Sequence, residues 1–583
     1  MLRRGFLLLP ICLPLVFSTL PTLAAQPEPA PVESSAPSAV STFVCLSLYW
    51  SPPSGSSENT CSASYREKGS PDWHEALPLW YDARNQEYRG SIVSLKPGTA
   101  YEVKLRLEQS ATETVLEAVT WAETAPIAKV IRLPADTRSA PLVISEGGSP
   151  DGYVLYEGAP DLQSHIDVAN NAPSCVQINA PYVIVRGLKL SGAQKDAIYL
   201  GKAAHDVRIE SCDISGWGRI AADGWGKNLD SGIRADAPEV YRIVIQGNRI
   251  HHPRSNSNDW TQPRTITGEK LSAHPNGPQG IMFINSKGNN VIRFNEVTSD
   301  EEHRFNDGIG GGANFSAEGF PGPDSDVYGN IVRNSIDDAL EIEGGSRNVR
   351  IWSNYLDTTF TGVATASCSV GPLYVFRNVL GLTRSHSGPS DGADNTGAFG
   401  KLGNNRGFGD GRVYYFHNTL LQPKPKGATR PLGAAWALAD WGGRMTQTVS
   451  RNNIWQTVAG LEQVVIASMG NHSKNPFSVI DHKYSPTNDL DYDLLSNLPD
   501  VASGNYTHAI HALPVFADTN PRDSLNFGLA PSSPGFDGGV IIPNFNDGFS
   551  GKSPDIGAQE TAAEPLLFGI PAYAHEVHAE PVK

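Results

Sequence analysis

The feature that most constrains this 583-residue chain is a short apolar strand that ends, again and again, in asparagine. It reads VIQGN to Asn248, VIRFN to Asn295, DVYGN to Asn330, RIWSN to Asn354, YVFRN to Asn378, YYFHN to Asn418 and VSRNN to Asn453. Upstream, RIESC puts Cys212 in the same slot and VIVRG puts Gly187 there. The successive spacings are 25, 36, 47, 35, 24, 24, 40 and 35 residues. A minimum near 24 with longer intervals describes one coil plus inserted loops, the signature of a solenoid. An asparagine that meets its own copy in every coil can hydrogen-bond above and below, and it tolerates left-handed backbone. An internal amide ladder is therefore expected, with Cys212 a small buried substitute in it.

A second signature precedes each of these strands: DAI at Asp196, SGI at Ser231, QGI at Gln279, DGI at Asp307, DAL at Asp338 and TGV at Thr361. Three short strands per coil, stacked coil on coil, give an all-β right-handed parallel β-helix, here assigned to residues 125–562. The composition, with 57 glycines and 4 methionines, suits a turn-rich β protein.

The chain ahead of this repeat divides readily. Residues 1–25 combine a basic start, an apolar run and small residues at Ala24 and Ala25, the pattern of a secretory signal peptide. Residues 26–41 read as a Pro/Ser/Ala linker. From Thr42 to Thr124 the pattern is a small β-sandwich, with Trp50 on an early strand and alternation in SLKPGTAYEVKLRL after a Pro-Gly turn. That run of Leu95, Pro97, Gly98, Thr99, Tyr101 and Val103 resembles the tyrosine-corner strand of fibronectin type III domains. The resemblance implies a spacer or binding accessory, with no chemistry of its own. LAPSSPGFDGG and SPDIGAQE resemble the closing segment of bacterial β-helix polysaccharide-degrading enzymes and are expected to cap the open strand edges. Residues 563–583 read as a tail.

With 46 basic against 61 acidic residues, the net charge of −15 argues against nucleic acid as a partner. It leaves an anionic substrate open, because a bound divalent cation inverts the local field. No stretch reads as a membrane span. Cys45 and Cys61 could pair in an oxidising compartment, and Cys175, Cys212 and Cys368 lack zinc-site spacing.

The candidate chemistry lies in SIDDALEIEGG, where Asp337, Asp338, Glu341 and Glu343 fall within seven residues. Leu340 and Ile342 facing inward would turn Glu341 and Glu343 outward. Asp307 lies one coil earlier, about 4.8 Å away by coil spacing. Three or four carboxylates in that arrangement suit Ca²⁺, with Asp307, Asp337, Asp338 and Glu341 as ligands. A solvated acidic face is the plain alternative. Two coils on, TGAFGKLGNNRGFGDG brings Lys401 and Arg406, with Lys401 expected roughly 10 Å along the groove. Counting from Phe399 turns Lys401 inward; giving Ala398 the inward slot turns it out. Arg234 faces the same groove by register, either to bind substrate or to pair with Asp236. The insert with His251, His252, Trp260 and Arg264 is a sugar-stacking wall or a polar loop, and His274 reads as a turn residue.

Here the sequence resembles family nine polysaccharide lyases, β-helix enzymes of the pectate-lyase type. That family carries an Asp-Asp pair, a carboxylate three residues on, another Asp one coil earlier, and a lysine base in a Phe-Lys-Leu-Gly strand. Asp337, Asp338, Glu341 and Asp307 match its calcium ligands and Lys401 its base, although Glu341 stands for an aspartate and AFGKLG holds one extra glycine. The resemblance implies a Ca²⁺-assisted lyase on an acidic polysaccharide; Arg234, Glu343 and Arg406 are candidate substrate ligands by their place along the groove. The expected protein is secreted or periplasmic and monomeric. A glycoside hydrolase using Asp307, Glu341 and Glu343 as acid and base, and a non-catalytic glycan-binding β-helix, are the rival readings.

Overall fold

A computed structural model describes residues 35–267, 270–272, 274–385, 388–389, 397–403, 407–423, 433–439, 444–457, 477–478, 487–496 and 506–577. Residues 1–34, Arg406 and residues 578–583 lie outside these, and with them the expected signal segment and one candidate substrate ligand. Among the described residues three long parallel sheets run side by side, of 11, 12 and 13 strands. Each coil visits them in turn, as in Ser231–Ala235, Tyr241–Gln246 and Arg249–His251. They are called here the groove, docking and ladder sheets. The chain is a parallel β-helix, as its repeat requires. No helix among the described residues is long and apolar enough to cross a membrane.

The asparagines stack at the corner between docking and ladder sheets. The backbone N–H of Asn248 donates to Asn295 Oδ1 at 3.1 Å, that of Asn295 to Asn330 at 3.0 Å, that of Asn330 to Asn354 at 3.0 Å and that of Asn354 to Asn378 at 3.1 Å. Asn378 and Asn418 continue the series, which ends on Asp493, and the amide of Cys212 starts it by donating to Asn248. Each side-chain N–H₂ donates in turn to the next amide oxygen, as from Asn330 to Asn354 at 2.9 Å. The left-handed residue is not the asparagine but the one before it. Gly247, Phe294, Gly329, Ser353, Arg377, His417 and Asn452 all have positive φ. The corner is turned there, and the asparagine is left free to face the interior.

The second signature has a packing cause. Its small residue faces the core at the entry to each groove strand. A Cβ on Gly280 would lie 2.3 Å from the Gly308 carbonyl, and one on Gly308 would lie 2.3 Å from Val332 Cγ1. The branched residue that follows, such as Ile281, Ile309 or Leu340, is also interior. Two successive inward residues leave the flanking positions on either side of them facing out.

The N-terminal module is antiparallel. Ser35–Ser41, Leu46–Ser51 and Glu87–Ile92 pair on one side, and Cys61–Glu67, Ala100–Leu107 and Glu113–Val119 on the other. His74–Asp82 joins the two through its two halves. The Tyr101 hydroxyl accepts from the Lys96 N–H at 2.9 Å, the contact a tyrosine corner makes. Two assigned segments are corrected and one open pairing is answered. Ser35–Ser41, assigned to the linker, is a strand, because its backbone finds the free edge of Leu46–Ser51. Cys45 and Cys61 are free, each buried in a different apolar cluster. The assigned tail contains a helix, Gly569–Glu576, whose Ala572 and Tyr573 bury beside Phe43 and Tyr328.

Nor is the module a detached spacer. Cys45 and Val93 pack on Tyr374, Phe376, Tyr414 and Phe416 of the docking sheet. That sheet presents a run of stacked rings, with Tyr328 and Trp352 centred 4.0 Å apart. Arg350, wholly buried, pairs with Asp326 at 2.7 Å and donates to Ser47 Oγ across the interface. Buried Arg293 pairs with Glu123. Separating the module would expose this apolar face to water and break the Arg350–Ser47 and Arg293–Glu123 contacts that cross the interface.

Two outcomes are expected. Asn354→Ala removes the acceptor of the Asn330 N–H, and each buried group so orphaned should cost about 1–3 kcal/mol in denaturant unfolding. Arg350→Ala should cost about 3–5 kcal/mol, and wild-type sandwich and β-helix should melt in one calorimetric transition rather than two.

Candidate active site

The groove sheet sets its outward residues in columns. One runs Tyr199, Arg234, Met282, Gly310, Glu341, Ala364, Lys401 and Ala439 in strict register. A second lies at the strand entries, through Ser231 and Gln279, then Asp338, Thr361 and Ala398. Here side-chain oxygens cap the amides of the next coil. Asp196 accepts from the Ser231 N–H at 2.9 Å, Gln279 from the Asp307 N–H at 2.8 Å, and Asp307 from the Asp338 N–H at 3.1 Å. Acceptors recur at this position for a backbone reason before any chemical one.

Around Asp307 the arrangement goes beyond capping. Oxygens of Asp307, Asp337 and Asp338 all lie within 4.8 Å of one another, and all three residues are buried. Asn306 donates to Asp307 Oδ2 at 2.7 Å. Asp338 Oδ1 and Glu341 Oε2 are buried with no hydrogen-bond donor among the described residues. Burial, then the charges of Asp337 and Asp338, push Asp307 up to about 8. Burial and Asp338 raise Asp337 well above the carboxylate range; burial and Asp307 do the same to Glu341. Such a cluster is short of positive charge. Carboxylate oxygens with orphaned lone pairs are the donor set that hard cations take. Glu341 sits beside this triplet rather than in it. Two inward residues separate it from Asp338, so it opens over Gly310, whose added Cβ would meet Glu341 Cβ at 2.7 Å.

Lys401 faces outward. Phe399 and Gly400 fill two successive interior slots, Gly400 in register with Val363 and Lys401 with Ala364. The extra glycine of AFGKLG is thus the second inward residue, where a Cβ would meet Leu438 Cδ2 at 2.8 Å. The expected gap of one sugar between lysine and carboxylates is wrong. Nζ lies 2.7 Å from Asp338 Oδ2 and 2.9 Å from Glu343 Oε1. The intervening outward residue is only Ala364, so the long stem leans back along the column to the acids. Burial works against the ammonium, but Asp338 and Glu343 together hold Lys401 well above the usual lysine value. Burial lifts Glu343 to about 7 against the opposing pull of Lys401.

Arg234 stands two coils below Gly310 in the same column. Its guanidinium meets Asp236 at 3.4 Å and the Leu229 carbonyl, the internal pairing that the sequence left open. His274 is not a plain turn residue. Its Nε2 lies 3.5 Å from Asp337 Oδ2, and its ring packs on Trp260 at 4.8 Å. Trp260 also touches Phe360 at 5.6 Å and donates to the Ile336 carbonyl at 3.2 Å. The insert is therefore an aromatic wall beside the acids. Only its Trp and His content hinted at this, since loop course is not periodic.

The acids give a pH dependence with a defined sign. Between the unfolded aspartate value near 4 and the folded value of about 8, Asp307 binds more protons folded than unfolded, so its contribution to stability falls as pH rises. In chelator, wild type should lose melting temperature from pH 5 to pH 8 more steeply than Asp307→Asn, which keeps the capping oxygen. Equal slopes in the two proteins would show that Asp307 is not so perturbed.

No protein-family model matches the chain, and no curated protein matches it. Two solved structures resemble it. The crystal structure of pectate lyase Pel9A has a TM-score of 0.34 at 10% identity, covering 75% of this chain and 86% of its own. That of Jun a 1, the major allergen from cedar pollen, has a TM-score of 0.26 at 10% identity, covering 69% and 89%.

Proposed function

We propose that this protein is a calcium-assisted polysaccharide lyase that cleaves a uronate-bearing glycan by β-elimination. The observation that carries the reading is the contact of Lys401 Nζ with the rim of a buried three-aspartate cluster, 2.7 Å from Asp338. Elimination next to a sugar carboxylate needs a base beside a cation site, so that both reach one sugar. Asp307, Asp337 and Asp338 would hold Ca²⁺, with Glu341 alongside. When bound, the cation would engage the sugar carboxylate and acidify the proton α to it.

The rest is the work of this chain's own groups. Lys401 takes the α proton, for which its amine must be neutral, and an amine near pKa 10.4 needs help to be neutral at pH 7. Asp338 and Glu343 are what hold the proton on Lys401. Once the aspartates are engaged elsewhere, Lys401 keeps Glu343 alone as counter-ion, and burial then favours the neutral amine. Trp260 and His274 supply a wall against which a sugar ring stacks. The N-terminal module serves as a fibronectin-like cover on the far sheet, and secretion accords with the substrate.

The raised carboxyls favour one rival. Glu343 at about 7 and Asp307 at about 8 are protonated often enough near neutrality to serve as general acid in a hydrolase. The experiment is a panel of uronate polysaccharides, followed by ultraviolet absorbance of the conjugated double bond with calcium and with chelator. A chelator-sensitive rise is expected, and Lys401→Ala should lower it by about 10²–10⁴-fold while calcium binding by calorimetry persists. New reducing ends without absorbance would replace the lyase with the hydrolase. Binding without any turnover would make the protein a glycan-binding β-helix.

A further inference from the structure

A second group of metal-type side chains lies away from the aspartates, at the corner leaving the ladder sheet. His251 ends the strand Arg249–His251 and is in register with Thr298 of the next coil. Coil stacking therefore brings His252 onto Asp300 and His303. His252 Nε2 lies 3.3 Å from Asp300 Oδ2, and His303 Nδ1 lies 2.8 Å from Asp300 Oδ1. The two imidazole rings are centred 5.4 Å apart. One ligand atom from each of the three residues falls within 4.8 Å of the others.

The first imidazole is oriented from behind. His252 Nδ1 lies 2.8 Å from His251 Nδ1, and His251 Nε2 lies 3.2 Å from Asp213 Oδ1. One proton shared between the two Nδ1 atoms fixes the ring so that His252 Nε2 faces Asp300. Metal-bound histidines are held in this way, with the far ring nitrogen engaged in a hydrogen bond that a carboxylate anchors. The side chains of His252, Asp300 and His303 are 49%, 46% and 36% exposed, so a cation reaches them from solvent without any rearrangement.

We propose that His252, Asp300 and His303 form a binding site for a divalent transition metal of the zinc class. Two imidazoles and one carboxylate, with a fourth position open to water, suit Zn²⁺, Ni²⁺ or Cu²⁺. Ca²⁺ takes oxygen ligands and belongs with the aspartates instead. The two sites thus differ in kind and are separable by choice of metal. The new site also has a place in the architecture. His252 opens the insert that carries Trp260 and His274, and His303 precedes Arg304, which already grips that insert by donating to Asn256 Oδ1 at 3.0 Å and the Ser257 carbonyl at 2.8 Å. A metal here clamps the base of the aromatic wall to the segment that leads into Asp307.

The test uses the untagged full chain, stripped with chelator and then titrated with Zn²⁺ by calorimetry under saturating Ca²⁺, so that the oxygen cluster does not compete. One equivalent of Zn²⁺ is expected, with a rise in melting temperature. His252→Ala and His303→Ala should each weaken binding at least tenfold, while keeping the metal-free melting temperature of wild type because both residues are half exposed. Asp213→Asn, which reaches the metal only through two rings, should weaken it about tenfold. Asp337→Asn should leave it unchanged. Cu²⁺ in place of Zn²⁺ should show coupling to two nitrogens in electron paramagnetic resonance, which each histidine variant reduces to one. Zinc binding that survives both substitutions, or no binding by wild type, would overturn the site.

Discussion

The backbone stack of one coil on the next governs everything else in this molecule. Strand spacing near 4.8 Å fixes the distance between equivalent residues, and the buried asparagine series locks the phase of each coil to the last. An asparagine fits because it both donates and accepts. Its oxygen takes the N–H of the coil below, and its amide nitrogen reaches the next oxygen in the row. Loss of one member strands groups in an apolar interior where water cannot reach them. The ladder ends on Asp493, whose carboxyl oxygen accepts from Asn453 at 2.8 Å and whose burial lifts it to about 6.

The same register builds the candidate active site. Asp307 first serves the backbone as cap for the Asp338 amide, and that duty fixes its position. With one oxygen so occupied, its neighbours Asp337 and Asp338 arrive at the next coil with nowhere else to turn. Stacking thus forces the three carboxyls together, and His274 at Asp337 and Lys401 at Asp338 are basic groups that face them. Of the two, Lys401 makes the closer contact. A cation and a protonated lysine are alternative answers to one electrostatic problem, which is why a base and a metal site can be neighbours.

The N-terminal sandwich solves a different problem. The outer face of the docking sheet carries Tyr328, Trp352, Phe376 and Tyr414, a stripe too apolar to leave in water. The sandwich and the helix Gly569–Glu576 cover it from the two ends of the chain. The arginines at this contact, Arg293 and Arg350, are buried and paired with Glu123 and Asp326, so the join is specific as well as apolar.

The fold was legible because a solenoid writes its period into the sequence. The ladder asparagines, the small-then-branched groove signature and the DDAL cluster all recur at coil intervals, and Asp307, Asp337 and Asp338 followed from counting. Counting failed where side chains lean or loops wander. It set Lys401 a sugar's length from the acids, because register locates a Cα and not the end of a lysine beside an alanine. It left Arg234 open between substrate and Asp236, and it could not see Trp260 and His274 at the acids or His252 over Asp300, since inserts have no period. It also read the first strand of the sandwich as linker and the last helix as tail, because both are ordered by partners far away in the chain. The sequence by itself determined the repeat, and so the sheets and the place of the acids. Tertiary structure alone decided which charges meet and which faces are covered, because those contacts depend on side-chain reach and loop course across many coils.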